Sequence, residues 1–335
     1  MNITFFIGNG FDINLGLPTK YSDFLLYHNS KGYTDIVSTS MREDISLWSD
    51  VESELGDFTK NVTTDSVETF LDAKDNVDRS LIEYLNTILG QYKLTINAEG
   101  VVEFRDKIVG FSKEFNRDDR EQLDSLIQRT TIQISYRFIT FNYTDYLDTI
   151  VKKAKELGPF STHKASSTIY NDIIHDPFHV HGTLGSDMIL GVNDRSQLAC
   201  SDEVSGQISE YMIKTDLNSA LGERKVALAK EIIDGSGYIC VFGMSLGKTD
   251  LIWWKYIFEW LKQNSNRRLV LYKLFPTSSV AAASAIARRR NSVRREFLKL
   301  VEAKDEDEKI GDQIILVPNS KIFTFEKIKV EKKDG

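Results

Sequence analysis

Cysteine is almost missing from this chain: Cys200 and Cys240 are the only two among 335 residues. Two thiols cannot build a disulfide framework or a four-cysteine zinc site, and their scarcity fits a reducing compartment. Long apolar runs are missing too. No stretch approaches the ~20 apolar residues of a membrane-spanning helix. The opening run from Ile3 to Ile7 is too short for a signal peptide and is met at once by glycines and Asp12. A cytoplasmic protein with no membrane partner is expected. Positive charge is in deficit, with 42 Lys and Arg against 49 Asp and Glu for a formal charge of −7. Such a chain has no general attraction for nucleic acid or anionic lipid, so nucleic acid is not an expected partner and any polyanion site must be local. Internal repeats are absent, and only "EAKDEDEK" (Glu302 to Lys309) is charge-dense enough to be a loop by composition.

What remains is a chain that is 41% apolar, 11% aromatic and 27% charged, which can bury a sizeable core. "NITFFIG" reads as a buried strand ending in the tight turn of "GNGFD". From Tyr21 to about Arg129 apolar residues recur every three or four positions, the spacing of helices. Strand character returns at "YRFITF" (Tyr136 to Phe141), followed by a helical stretch with Thr144 as a candidate N-cap. "FHVHGTL" and "MILGVN" read as two short strands around a turn at Gly185, Ser186 and Asp187. Helix is expected between Asp194 and Asp234, then the buried strand "YICVFGMSL", the helix "TDLIWWKYIFEWLKQN", the strand "RRLVLYKLF", a helix from Ser278 to Ala303 and closing strands "IILVP" and "IFTF". Strands alternating with helices predict an α/β fold with a mostly parallel sheet, helices on both faces and a large helical insertion after the first strand. Residues 1–20 and 130–335 would form the core, and 21–129 the insertion, packed on or over the site.

Four short segments could carry chemistry. In "GNGFD" the glycines Gly8 and Gly10 flank Asn9 at a strand end, where backbone N–H groups can approach a phosphate, and Asp12 can accept from a ribose hydroxyl or an amide. An ordinary tight turn with a capping Asp explains the same residues. In "TFNYTD", Asn142 offers donors and an acceptor and Asp145 an acceptor; a turn Asn and a first-turn helix Asp are the bland alternative. In "HVHG", strand alternation would put His179 and His181 on one face, and His181, next to Gly182, suits a general base. Two histidines without a third ligand do not make a metal site, so no metal is expected. In "FGMSLGKTD", Gly243, Ser245 and Gly247 fit the GxSxG pattern literally. The helix comes too late, and no histidine follows the serine, as a serine hydrolase would need. The arginines at 288, 289, 290, 294 and 295 form a basic stripe that reads as a solvated helix face or a polyanion contact.

The order of these segments resembles the sirtuin-like NAD-binding fold. More closely, "FFIGNGFDINLGLPTKYSDFL", "LWSDVESEL", "FNYTDYLD" and "HVHGTL" are similar to the bacterial abortive-infection AbiH family of phage-defence proteins. The sirtuin-like resemblance implies a Rossmann-like core that takes NAD as ligand or substrate. By it Gly8, Asn9, Gly10 and Asp12 meet the cofactor, Asn142 and Asp145 serve the nicotinamide side, His181 is the catalytic base, and Gly243 and Ser245 meet the adenosine side. Protein deacetylation is not implied, because the sirtuin zinc ribbon needs four cysteines. Trp48 and Glu52, four apart on one expected helical face, read either as a core anchor with a surface charge or as a lid.

Two functions follow. One is an enzyme that hydrolyses the nicotinamide glycosidic bond of NAD in infected cells, answering a phage-derived trigger. The other is a module that senses NAD or ADP-ribose and signals through a partner, including a second copy of itself.

Overall fold

The computed structural model describes residues 1–280 and 282–333. The chain opens with strand β1 (Asn2–Ile7) and the short helix α1 (Gly10–Asn14). Helices α2 (Tyr21–Ser30), α3 (Ile36–Glu43), α4 (Val51–Phe58) and α5 (Val67–Gln91) follow, then strand β2 (Tyr92–Ile96) and helices α6 (Ala98–Val109) and α7 (Arg117–Arg129). Strand β3 (Ser135–Thr140), helix α8 (Tyr146–Glu156), strands β4 (Ser161–Ala165) and β5 (Thr168–Ile174) and the two-residue strand β6 (Phe178–His179) come next. Helices α9 (Asp202–Met212), α10 (Lys214–Ala220) and α11 (Lys225–Asp234) lead to an alternation of β7 (Ser236–Phe242), α12 (Leu251–Lys262), β8 (Arg268–Lys273), α13 (Ala283–Leu300) and β9 (Ile314–Pro318), and β10 (Ile328–Lys332) follows.

The main sheet runs β4-β5-β3-β1-β7-β8-β9, with β6 also pairing β3. All its pairings are parallel except that of β4 with β5. β1 is buried on both faces, as the middle of a parallel sheet requires, and its one buried polar side chain, Thr4, is satisfied by the Ser236 hydroxyl at 2.7 Å. Ile3, Phe5 and Ile7 enter a core shared with α6 and α8, where Phe5 stacks on Phe138 at 5.3 Å between ring centroids. Phe6 enters the opposite core, shared with α11, α12 and α13. A third core, centred on the fully buried Trp48, gathers α2 to α5 and α9.

Topology places the crevice. From β1 the chain passes eventually to β3 on one side, while β7 on the other side continues outward to β8. Loops that leave neighbouring strand ends in opposite directions open a gap between them, and in open α/β sheets ligands enter that gap.

Several expectations fail on local grounds. The stretch between Tyr21 and Arg129 is largely helical, but within it "YKLTI" forms β2, which pairs antiparallel with β10 in a separate two-stranded sheet. "MILGVN" is no strand; Val192 makes one isolated bridge to Ile213. Gly191 admits the Met212 carbonyl, which a Cβ would meet at 2.3 Å. "IFTF" is no strand either. Its aromatic Phe323 packs as a core plug against Phe5, Phe11 and Phe242. "EAKDEDEK" leads into a 3-10 stretch, Asp305–Gln313, rather than an open loop.

Candidate functional site

Glycine has a precise task where β1 and β7 end. Gly8 N donates to the Phe242 carbonyl and Gly10 N to the Gly243 carbonyl, both at 3.0 Å. A Cβ on Gly10 would lie 2.4 Å from Gly243 Cα, and Gly243 itself holds φ +74°. The two loops therefore cross backbone against backbone, which only glycine permits. This crossing accounts for all three glycines, and it occupies the N–H groups of Gly8 and Gly10. Asn9 is equally engaged: its Nδ2 donates to the Thr19 carbonyl, and its Oδ1 accepts from the Thr19 hydroxyl, both at 2.6 Å.

Beside the crossing opens a cavity of about 420 Å³, within the range usual for small-molecule sites. One wall comes from strand ends. Asp12, on α1, is buried, and its Oδ2 accepts from the Thr144 hydroxyl at 2.7 Å. Burial pushes its carboxyl up to about 7, resisted by Thr144 and Asn142. Its Oδ1 and the Oδ1 of buried Asn142 have no hydrogen-bond partner. Buried His181 stands edge-on to Phe141 at 5.3 Å. Burial, reinforced by Lys214 and Lys225, holds its imidazole well below the usual histidine range, so the ring is neutral at pH 7.

The other wall comes from the helical segment, through Tyr21 and Phe24 of α2, Asp50 and Glu52 around the start of α4, and Leu81, Tyr84 and Leu85 of α5. Lys214 Nζ donates to Glu52 Oε2 at 2.7 Å, and the Thr249 hydroxyl donates to Asp50 Oδ2 at 2.7 Å. Asp250 completes that side; burial, resisted by Lys214 and reinforced by Glu52 and Asp50, pushes its carboxyl up to about 7. Four carboxylates line the cavity and no Lys or Arg does, among the described residues. They are not gathered around one point: among the described residues no group of three His, Cys, Asp or Glu side chains could hold a metal ion.

The structure brings Gly8, Asn9, Asp12, Asn142, His181, Gly243 and Ser245 to this one cavity. Gly10 lies behind the wall in the loop crossing, and Asp145 is exposed at the start of α8. Thr144 turns to Asp12 rather than capping α8. His179 and His181 do not share a task. β6 stops at His179, whose ring nitrogens bond the Asn142 carbonyl and Asp148 Oδ2, both at 2.9 Å, outside the cavity lining.

Trp48 and Glu52 do not share a helical face either. Trp48 belongs to the 3-10 turn Leu47–Ser49 as a core anchor, and α4 begins only after the Asp50 cap. Glu52 is no surface charge but part of the cavity wall. The arginine stripe is largely consumed within the fold: Arg290 bonds Asp119, Arg294 bonds Asp312 and the Ile314 carbonyl, and Arg289 lies over Phe275. Sequence reasoning missed Tyr21, Asp50, Tyr143, Lys214 and Asp250. For Asp250 a signal existed, since it closes the glycine-rich segment after β7.

Among the described residues no helix is long and apolar enough to cross a membrane. A family model described as bacteriophage abortive infection AbiH matches residues 4–272, the greater part of the chain. The chain belongs to that family. No curated protein matches it.

Proposed function

We propose that this AbiH-family protein acts in abortive infection by binding NAD in the cavity and hydrolysing its nicotinamide glycosidic bond. The observation that carries the reading is the pair of orphaned acceptors, Asp12 Oδ1 and Asn142 Oδ1, in the buried wall of that cavity. An unsatisfied buried acceptor costs about 1–3 kcal/mol, so a fold that keeps two of them beside a cavity suits a ligand that brings hydroxyl or amide donors. A ribose diol and a carboxamide both do so. Neutral His181 has a lone pair for the proton of the attacking water. A lining with four carboxyl groups and, among the described residues, no Lys or Arg suits the positive charge that develops on a sugar when its glycosidic bond breaks. The diphosphate cannot use the N–H groups of Gly8 and Gly10, so its contacts fall to the exposed part of the loop around Ser245.

One observation favours a second reading, a sensor that holds NAD or ADP-ribose without cleaving it: burial weakens His181 as a base. Incubating the purified protein with NAD separates the two. The enzyme releases nicotinamide, and Asn142→Ala lowers the rate by ~10²-fold or more, as loss of a positioning group does. The sensor binds ADP-ribose in a titration and releases none.

A further inference from the structure

Glu52 is 7% exposed and Lys214, its partner at 2.7 Å, 2%. The pair joins α4 to α10 across 162 residues of sequence. A fold that needed only a clamp there would gain as much from apolar side chains, because desolvating two charges consumes most of their attraction. The placement is what distinguishes this pair. Glu52 lines the cavity, Lys214 lies behind it and is not part of the lining, and Asp50 and Asp250 add two further carboxyl groups to the same wall.

We propose that Glu52 is a catalytic residue whose carboxylate, positioned by Lys214, stabilises the ribosyl cation formed when the nicotinamide–ribose bond breaks. This rests on the NAD-cleavage reading above. In that step the C1′–N bond breaks, and both its electrons leave with the pyridine nitrogen, neutralising the ring. Positive charge appears on C1′ and the ring oxygen of the sugar. Water then adds to C1′ and passes its proton to His181 and on to solvent, giving ADP-ribose, nicotinamide and one proton. A fixed carboxylate attracts that cation most strongly when the charge is fully developed, and so lowers the barrier rather than merely tightening binding. Lys214 aims Glu52 and favours its ionised form, opposing the burial that holds its carboxyl above the usual range. Tyr21, Tyr143, Asp50 and Asp250 are the other titratable groups that face Glu52, and His181 lines the same cavity.

The test uses the full chain and NAD. Glu52→Gln alone leaves Lys214 buried without its partner, so Glu52→Gln combined with Lys214→Met, which removes both charges together, is the informative variant. The proposal expects it to fold, to bind ADP-ribose within a few-fold of wild type by calorimetry, and to release nicotinamide ~10²-fold more slowly or worse. Glu52→Asp recovers part of the rate. Lys214→Met and the double variant both free His181 of the Lys214 charge, so the acid limb of the kcat profile is compared between them: it lies at higher pH in Lys214→Met, which alone keeps a Glu52 that has lost its cation, whereas a purely structural pair gives both the same limb. Wild-type nicotinamide release by the folded double variant overturns the role of Glu52 and leaves NAD cleavage standing. A wild type that releases no nicotinamide, alone or in extract of phage-infected cells, overturns both.

Discussion

The two walls of the cavity are built by different means. Asp12, Asn142, His181 and Gly243 lie within a few residues of the ends of β1, β3, β6 and β7, so the strand ladder sets their positions almost directly. Asp50 and Glu52 have no such anchor. They reach the cavity because α2 to α5 pack on α9 in a separate core, and they are tied across by Lys214 and Thr249, 162 and 199 residues away. The first wall is a floor fixed by the strand ladder, and the second is a cover seated on it by these polar bonds and by apolar contacts, since Leu17 and Tyr146 share the core of α2 to α5. His181 and Glu52 face the one cavity from different walls, so the chemistry proposed above needs the cover seated on the floor.

The largest way to sharpen this contrast is pH. Burial pushes the carboxyls of Asp12 on the floor and Asp250 on the cover up to about 7, from an ordinary 3.8 for aspartate. Between those values the folded chain holds protons that the unfolded chain has released, so stability falls as pH rises from about 4 to about 7. For fully buried Asp12 that loss amounts to about 4 kcal/mol; Asp250, partly open to the cavity, contributes less. Asp12→Asn should therefore unfold with wild-type stability near pH 4 and be more stable than wild type at pH 8, by denaturant titration. Equal gains from Asp250→Asn would erase the distinction between floor and cover.

Next in size is the loop crossing. Gly10→Ala places a methyl 2.4 Å from the Gly243 backbone, an overlap that no side-chain rotation relieves, and should cost about 3 kcal/mol or more. Thermal melting checks this; a neutral Gly10→Ala would mean that the floor yields as readily as the cover.

His179 gives a smaller effect. It braces the Asn142 carbonyl from outside the cavity, so His179→Ala should cost about 1–3 kcal/mol of stability and lower nicotinamide release less than Asn142→Ala does.

The difference between the walls also explains what the sequence disclosed. "GNGFD", "FNYTD" and "FGMSL" each end an apolar run, so the strands lead to most of the floor, while "HVHG" begins on the two-residue strand β6. Their convergence rests on β1 lying between β3 and β7, which alternation of strand and helix only suggests. Glu52 was visible as a residue but not as a cavity group, since Lys214 sits in an unremarkable helix and nothing local links the two. The β2–β10 pair and the Phe323 plug were illegible for the same reason. Short apolar stretches take their state from what covers them, as "YKLTI" became a strand against β10 and "IFTF" a core plug.

NAD cleavage in this cavity, with His181 as the base, is the proposal on which the others rest, and nicotinamide release by wild type and His181→Ala tests it most directly. The account predicts equal amounts of nicotinamide and ADP-ribose from the wild type. It also predicts a loss of ~10²-fold or more in a folded His181→Ala variant that still binds ADP-ribose. Release at the wild-type rate by folded His181→Ala would contradict it, as would a wild type that binds ADP-ribose and leaves NAD intact in the presence of infected-cell extract.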